Sequence, residues 1–114
     1  MIKEEISFDD FNKVDIRTGT IIEVTDFPKA KKPAYQLTID FGDLGIKKSS
    51  AQITQLYSKE ALLYKQILAI VNFKEKQIAN FISECLVLGV EIENKEIVLL
   101  QVSKPAIKNG EQIS

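Results

Sequence analysis

Apolar and polar residues alternate along much of this chain, and the alternation marks out strands. From Val14 to Val24, the residues Val14, Ile16, Thr18, Thr20, Ile22 and Val24 alternate with Asp15, Arg17, Gly19, Ile21 and Glu23. That period predicts a long half-buried strand, with Gly19 at its centre as a bend or bulge. Tyr35, Leu37, Ile39 and Phe41 alternate with Gln36, Thr38 and Asp40 in a second strand, which ends at the turn Gly42-Asp43-Leu44-Gly45. Ile46 to Ile53 is a weaker third strand, small and polar on both faces. Thr54 to Tyr64 is expected to be a helix, with Leu56, Ala61 and Leu63 on its apolar side and Ser58 as a cap for a last short segment. Ile67 to Phe73 is apolar nearly throughout and predicts a strand buried on both sides. Cys85–Val90 and Ile97–Val102 form a final pair around Glu93-Asn94-Lys95. Ahead of the first strand, Phe8 to Phe11 reads as a helical turn capped by Ser7, with Asp9 and Asp10 at the positive end of its dipole.

Short strands with one helix between the third and fourth predict an all-β fold, a five-stranded OB-type barrel with short terminal extensions. An SH3-like barrel shares enough of this order to stay open on pattern alone. No repeat or linker interrupts the 114 residues, so residues 1–114 are expected to form one domain.

Composition narrows the chemistry. The chain has no histidine, which removes the commonest general base and the most frequent zinc ligand together. Its acidic residues are scattered, so no catalytic residue, metal or cofactor is expected. The one cysteine, Cys85, cannot form an internal disulfide and reads as a buried inert thiol. The opening residues turn acidic at once and no long uncharged apolar run follows, so membrane insertion is not expected and a cytoplasmic location is. Net charge is −1, yet its distribution is uneven. Residues 1–26 carry three basic and seven acidic groups, residues 27–76 nine and four, and residues 77–114 three and five. The central excess either focuses a positive potential on one site or is simply a lysine-rich solvated surface.

Three segments carry candidate binding residues. In Val71 to Leu88 an apolar pattern stops at Asn72, crosses Phe73, Lys74, Lys76, Ile78, Phe81 and Ser83, then resumes. Small donors, mobile cations and planar apolar groups in one irregular connection suit the holding of a partner. Arg17, the only arginine, either meets a phosphate or base or forms an ion pair with Asp15. On the third strand Lys48, Ser50 and Gln52 share one face and form a polar track towards the loop after Asn72. Lys29, Lys31 and Lys32 lie in the first long loop, which in OB folds often contacts oligonucleotides.

Together, Asp15-Ile16-Arg17-Thr18-Gly19-Thr20-Ile21, Lys48 to Thr54, Val71-Asn72-Phe73 and Ser83 to Gly89 resemble the CsaA proteins. These are export-related chaperones on the tRNA-binding-domain version of the OB fold. The resemblance implies a homodimer that binds unfolded or presecretory polypeptides and has a capacity for tRNA. It places an RNA-contact motif on Asn72, Lys74 or Lys76, and Ser83, with Leu86 where tRNA binders often carry methionine; Arg17 and Lys48 complete the expected RNA-binding set. The expected peptide-binding set is Ser50, Gln52, Asn72, Phe73, Ile78 and Phe81. Three positions depart from the wider pattern. Ala51-Gln52 stands for Ser-Gly, which fits the CsaA branch, Lys74 stands for proline, and Asn80 stands for glycine. The last two bear on the shape of the loop.

Overall fold

In a computed structural model, residues 1–105 and 107–114 are described. Ser7 caps the first helix, α1 (Phe8–Asn12), in a reciprocal capping box: its hydroxyl accepts from the Asp10 amide, and the Asp10 carboxylate accepts from the Ser7 amide. The chain then enters β1 (Ile16–Asp26), the longest strand. Its first half pairs antiparallel with β4 (Gln66–Ile70), and its second half with β2 (Tyr35–Asp40). One strand thus serves two walls of a barrel. The kink that lets it do so is a register shift between Ile21 and Glu23, not a bulge at Gly19. Gly19 has another task, since a Cβ there would sit 2.6 Å from the Phe41 ring and 2.7 Å from Ile39. The missing side chain lets the strand lie against the core.

β3 (Ile46–Ala51) pairs with β2, and β7 (Leu86–Val87) pairs with β4, giving the sheet order β3-β2-β1-β4-β7. This is a nearly closed five-stranded antiparallel barrel of the OB type, with the expected helix between its third and fourth strands. Ile21, Leu37, Ile39, Phe41, Leu62 and Ile67 are wholly buried in its core. β3 is joined, mainly by side chains, to residues 83–85, which lead into β7. The Lys48 amide donates to Glu84 Oε1 at 2.9 Å, the Glu84 amide to the Lys48 carbonyl at 2.7 Å, and the Ser50 amide to Ser83 Oγ at 3.2 Å. Buried Ser49 donates its hydroxyl to the Cys85 carbonyl at 3.0 Å.

The helix is much shorter than its apolar pattern suggested. α2 covers Lys59–Leu62 with Ser58 as its cap, and the residue it buries is Leu62, while Leu56 and Leu63 stay partly exposed. Tyr57 explains the early part: its carbonyl accepts from the Tyr35 hydroxyl and its own hydroxyl accepts from the Leu99 amide, which ties residues 54–58 to the barrel as a turn. The fourth strand is also less buried than expected, with Ile67 and Ala69 inside and Leu68 and Ile70 only partly covered.

The connection after Asn72 contains a hairpin that the pattern did not reveal. β5 (Lys76–Ile78) pairs with β6 (Phe81–Ser83) around Ala79-Asn80. The left-handed residue of this turn is Ala79, at φ 53°, and not Asn80. A second hairpin joins β8 (Gly89–Glu91) to β9 (Ile97–Leu99); it is shorter than the expected pair, because Leu86 and Val87 at its start pair with β4 instead. The chain end lies along β1 as a strap, with amide–carbonyl bonds from Thr18 to Glu111, Gly110 to Thr18 and Ile113 to Ile16. Among the described residues no helix is long and apolar enough to cross a membrane.

Candidate binding cleft

Where β3 and β7 diverge beyond their side-chain clasp, a cleft of about 680 Å³ opens. Its floor is aliphatic, built from Ile53, Val87, Ile97 and Leu99, with Leu86 at its mouth and Ile78 on the hairpin side. Its rim is polar, carrying Ser50, Gln52, Lys74, Lys76 and Ser83. Phe73 is 56 % exposed and stands at the same opening. The strand period accounts for the polar side: Ser49, Ala51 and Ile53 point into the barrel, which turns Lys48, Ser50 and Gln52 outward. A second cleft of about 620 Å³ adjoins the first and shares Ser50, Gln52, Lys76 and Ile78 with it. Lys29, Lys31 and Lys32 of the loop between β1 and β2 line that second opening, and no acidic residue does. Among the described residues, ion pairs engage Lys13, Arg17 and Lys59, but none of these cleft lysines.

Several expected binding residues spend their polar groups or their surface inside the fold. Phe81 is 8 % exposed, its ring 5.4 Å from Phe27 in a small cluster with Ala34, so it supports the hairpin from beneath and is no open platform. Its partner Phe27 lies fifty-four positions earlier, which is why residue type alone did not separate it from Phe73. Arg17 takes the ion-pair alternative, with Nε 2.6 Å from Asp15 Oδ1, and also donates to the Gly110 carbonyl at 3.0 Å. Asn72 bridges helix and strand: its amide nitrogen donates to the Lys13 carbonyl at 2.7 Å and its oxygen accepts from the Asp15 amide at 3.0 Å. It does not line either cleft. Ser83 lines the first cleft but accepts from the Ser50 amide. Lys48 is exposed outside both openings, its main chain held by Glu84.

The residues that meet at the first cleft are therefore Ser50, Gln52, Phe73, Lys74, Lys76, Ile78, Ser83 and Leu86. The sequence reading missed its floor, in which Val87, Ile97 and Leu99 read as ordinary strand residues. Cys85 lies in the same wall, and burial pushes its thiol from the ordinary 9.0 up to about 11. Among the described residues no group of three or more histidine, cysteine or acidic side chains is placed to hold a metal ion.

A nearly closed barrel whose β3–β7 seam carries an aliphatic floor and a polar, lysine-bearing rim defines a small OB-fold binding module. The chain belongs to the tRNA-binding-domain family, whose model, described as "Putative tRNA binding domain", matches residues 16–112. Among solved structures it is similar to the chaperone CsaA of Bacillus anthracis strain Ames, at 47 % identity and a TM-score of 0.92, over 97 % of this chain and 100 % of that one. The CsaA chaperone of Picrophilus torridus is 51 % identical with a TM-score of 0.88, over 96 % of this chain and 100 % of that one. Among curated proteins, a methionine–tRNA ligase of Parabacteroides distasonis is 35 % identical over 112 residues, which are 98 % of this chain and 16 % of the ligase. A methionine–tRNA ligase of Nanoarchaeum equitans is 37 % identical over 100 residues, 88 % of this chain and 12 % of that protein. The chain thus spans less than a fifth of the length of these curated relatives.

Proposed function

We propose that this chain is a CsaA-like chaperone that holds unfolded or presecretory polypeptides in the cleft between β3 and β7, and that it also binds tRNA. The observation carrying this reading is the cleft's composition. An aliphatic floor beneath Ser50 and Gln52 suits apolar side chains whose backbone bonds to the rim. The two CsaA neighbours support it by their similarity over nearly the whole chain. The role is one of binding without chemistry of its own and without a cofactor, within one OB unit, and the buried single thiol suits the reducing cytoplasm. The active form is a homodimer; exposed Ile2, Ile6 and Phe8 near one chain end and Val90, Ile92 and Val98 on the β8–β9 hairpin offer apolar surface for the second subunit.

Suppression of aggregation of a chemically denatured client tests the holding role, with wild type set against Leu86→Asp. Leu86 is 46 % exposed at the cleft mouth, so a folded variant is expected to lose protection. Equal protection by both would remove this cleft from the reading. The alternative, a tRNA binder without a chaperone role, draws on the cleft lysines, which have no ion-pair partner among the described residues, and on the family match. Its signature is salt: with a few phosphate contacts, affinity falls by about an order of magnitude or more between low and physiological salt.

A further inference from the structure

The two clefts share Lys76 and Ile78 of β5 together with Ser50 of β3 and Gln52 just beyond it. One opening is aliphatic and the other basic, so the junction is a boundary between two chemistries. At that boundary, among the described residues, the main chain of Ser50 is engaged and that of Gln52 is open. Lys48 and Ser50 have their outward amides taken by Glu84 and Ser83, but the clasp ends there, and among the described residues Gln52 has no main-chain hydrogen-bond partner. An unpaired main-chain group just past a strand's end and beside an apolar pocket is a point at which an extended peptide can add a backbone bond.

We propose that the two clefts form one continuous groove for an extended polypeptide of mixed character. An apolar stretch lies on the floor near Phe73 and Leu86, its main chain bonds Gln52 just past the end of β3, and a following acidic stretch lies among Lys29, Lys31, Lys32 and Lys76. This rests on the polypeptide-holding reading and adds which polypeptides are preferred. Charge complementarity selects the acidic flank, because four cations without a lining carboxylate favour anions and repel a basic segment. RNA fits the same groove less well. Single-stranded bases need aromatic platforms, whereas the apolar cleft offers Phe73 alone among aliphatic neighbours.

The test uses three labelled peptides that share an alternating leucine–serine half and carry glutamates, glutamines or lysines in the other half. Binding to the full chain is read by fluorescence anisotropy at low and physiological salt. The glutamate peptide is expected to bind about tenfold more tightly than the glutamine peptide at low salt, with the lysine peptide weakest. Lys31→Glu combined with Lys32→Glu, both on an exposed loop, should erase that advantage while thermal melting stays unchanged. A glutamate peptide N-methylated between its halves should bind several-fold more weakly; unchanged affinity would remove the main-chain contact at Gln52. Equal binding of the glutamate and glutamine peptides would overturn the acidic preference and leave polypeptide holding in place. Failure of all three to bind, with an RNA oligomer bound instead, would overturn both.

Discussion

Two polar regions of this barrel carry the residue types of a binding site, and they differ in whether those residues are free. Along β1 and the start of β4, Arg17, Thr18, Thr20 and Gln66 form a dense network with the C-terminal strap. Thr18 Oγ1 donates to the Lys108 carbonyl at 2.9 Å and accepts from the Glu111 amide at 3.0 Å, while Thr20 and Gln66 both donate to Asn109 Oδ1. Along the β3–β7 seam, among the described residues, the cleft lysines lack ion pairs and Gln52 keeps an open main chain. The strap region looks functional by composition but uses its polar groups to hold the chain end. The seam has fewer hydrogen bonds within the protein and therefore more capacity for a partner.

Breaking each region should consequently read out differently. The largest loss of stability is expected from Phe81→Ala, which empties the cluster with Phe27 and Ala34 and should cost about 3 kcal/mol in chemical denaturation. Any loss of binding would then follow the hairpin's disorder, and a variant that binds normally at full stability would contradict the buried placement.

Next comes pH. Cys85 has a raised thiol in the fold, so between pH 9 and 11 the unfolded chain ionises while the folded chain does not, and stability falls as pH rises through that window. The full effect is about 2 to 3 kcal/mol, and it should be missing from the corresponding slope in Cys85→Ala. The same burial predicts native thiol alkylation near pH 8 about a hundredfold slower than in the denatured chain.

Thr18→Val keeps the shape but leaves the Glu111 amide and Lys108 carbonyl without their partner, at a cost of about 2 kcal/mol, with peptide affinity unchanged. Leu86→Asp sits at the other extreme. It should cost about 1 kcal/mol of stability, because about half of the side chain is covered, yet abolish client protection.

Much of the barrel was legible because its first two strands carry long period-2 patterns. The polar face of β3 was legible for the same reason: alternation alone puts Lys48, Ser50 and Gln52 on one side. The β5–β6 hairpin was not, since three-residue strands are too short for a period to show and Ala79-Asn80 is not a usual turn pair. The helix was overextended because Leu56 and Leu63 mimic an apolar face, while the bonds that shorten it come from Tyr35 and Leu99, far away in sequence. Within the candidate site, Ser50, Gln52, Phe73 and Leu86 do converge on one cleft. Arg17 and Asn72 do not, because short hydrogen bonds to Asp15 and the α1–β1 link engage them first.

The contrast between the seam and the strap is tested most directly by mapping a bound extended peptide onto the isotopically labelled protein by amide chemical-shift changes. Shifts are expected at Ser50, Gln52, Phe73, Lys76 and Leu86, with Arg17, Thr18 and Asn109 unmoved. Shifts concentrated along β1 and the strap, with the seam silent, would contradict it.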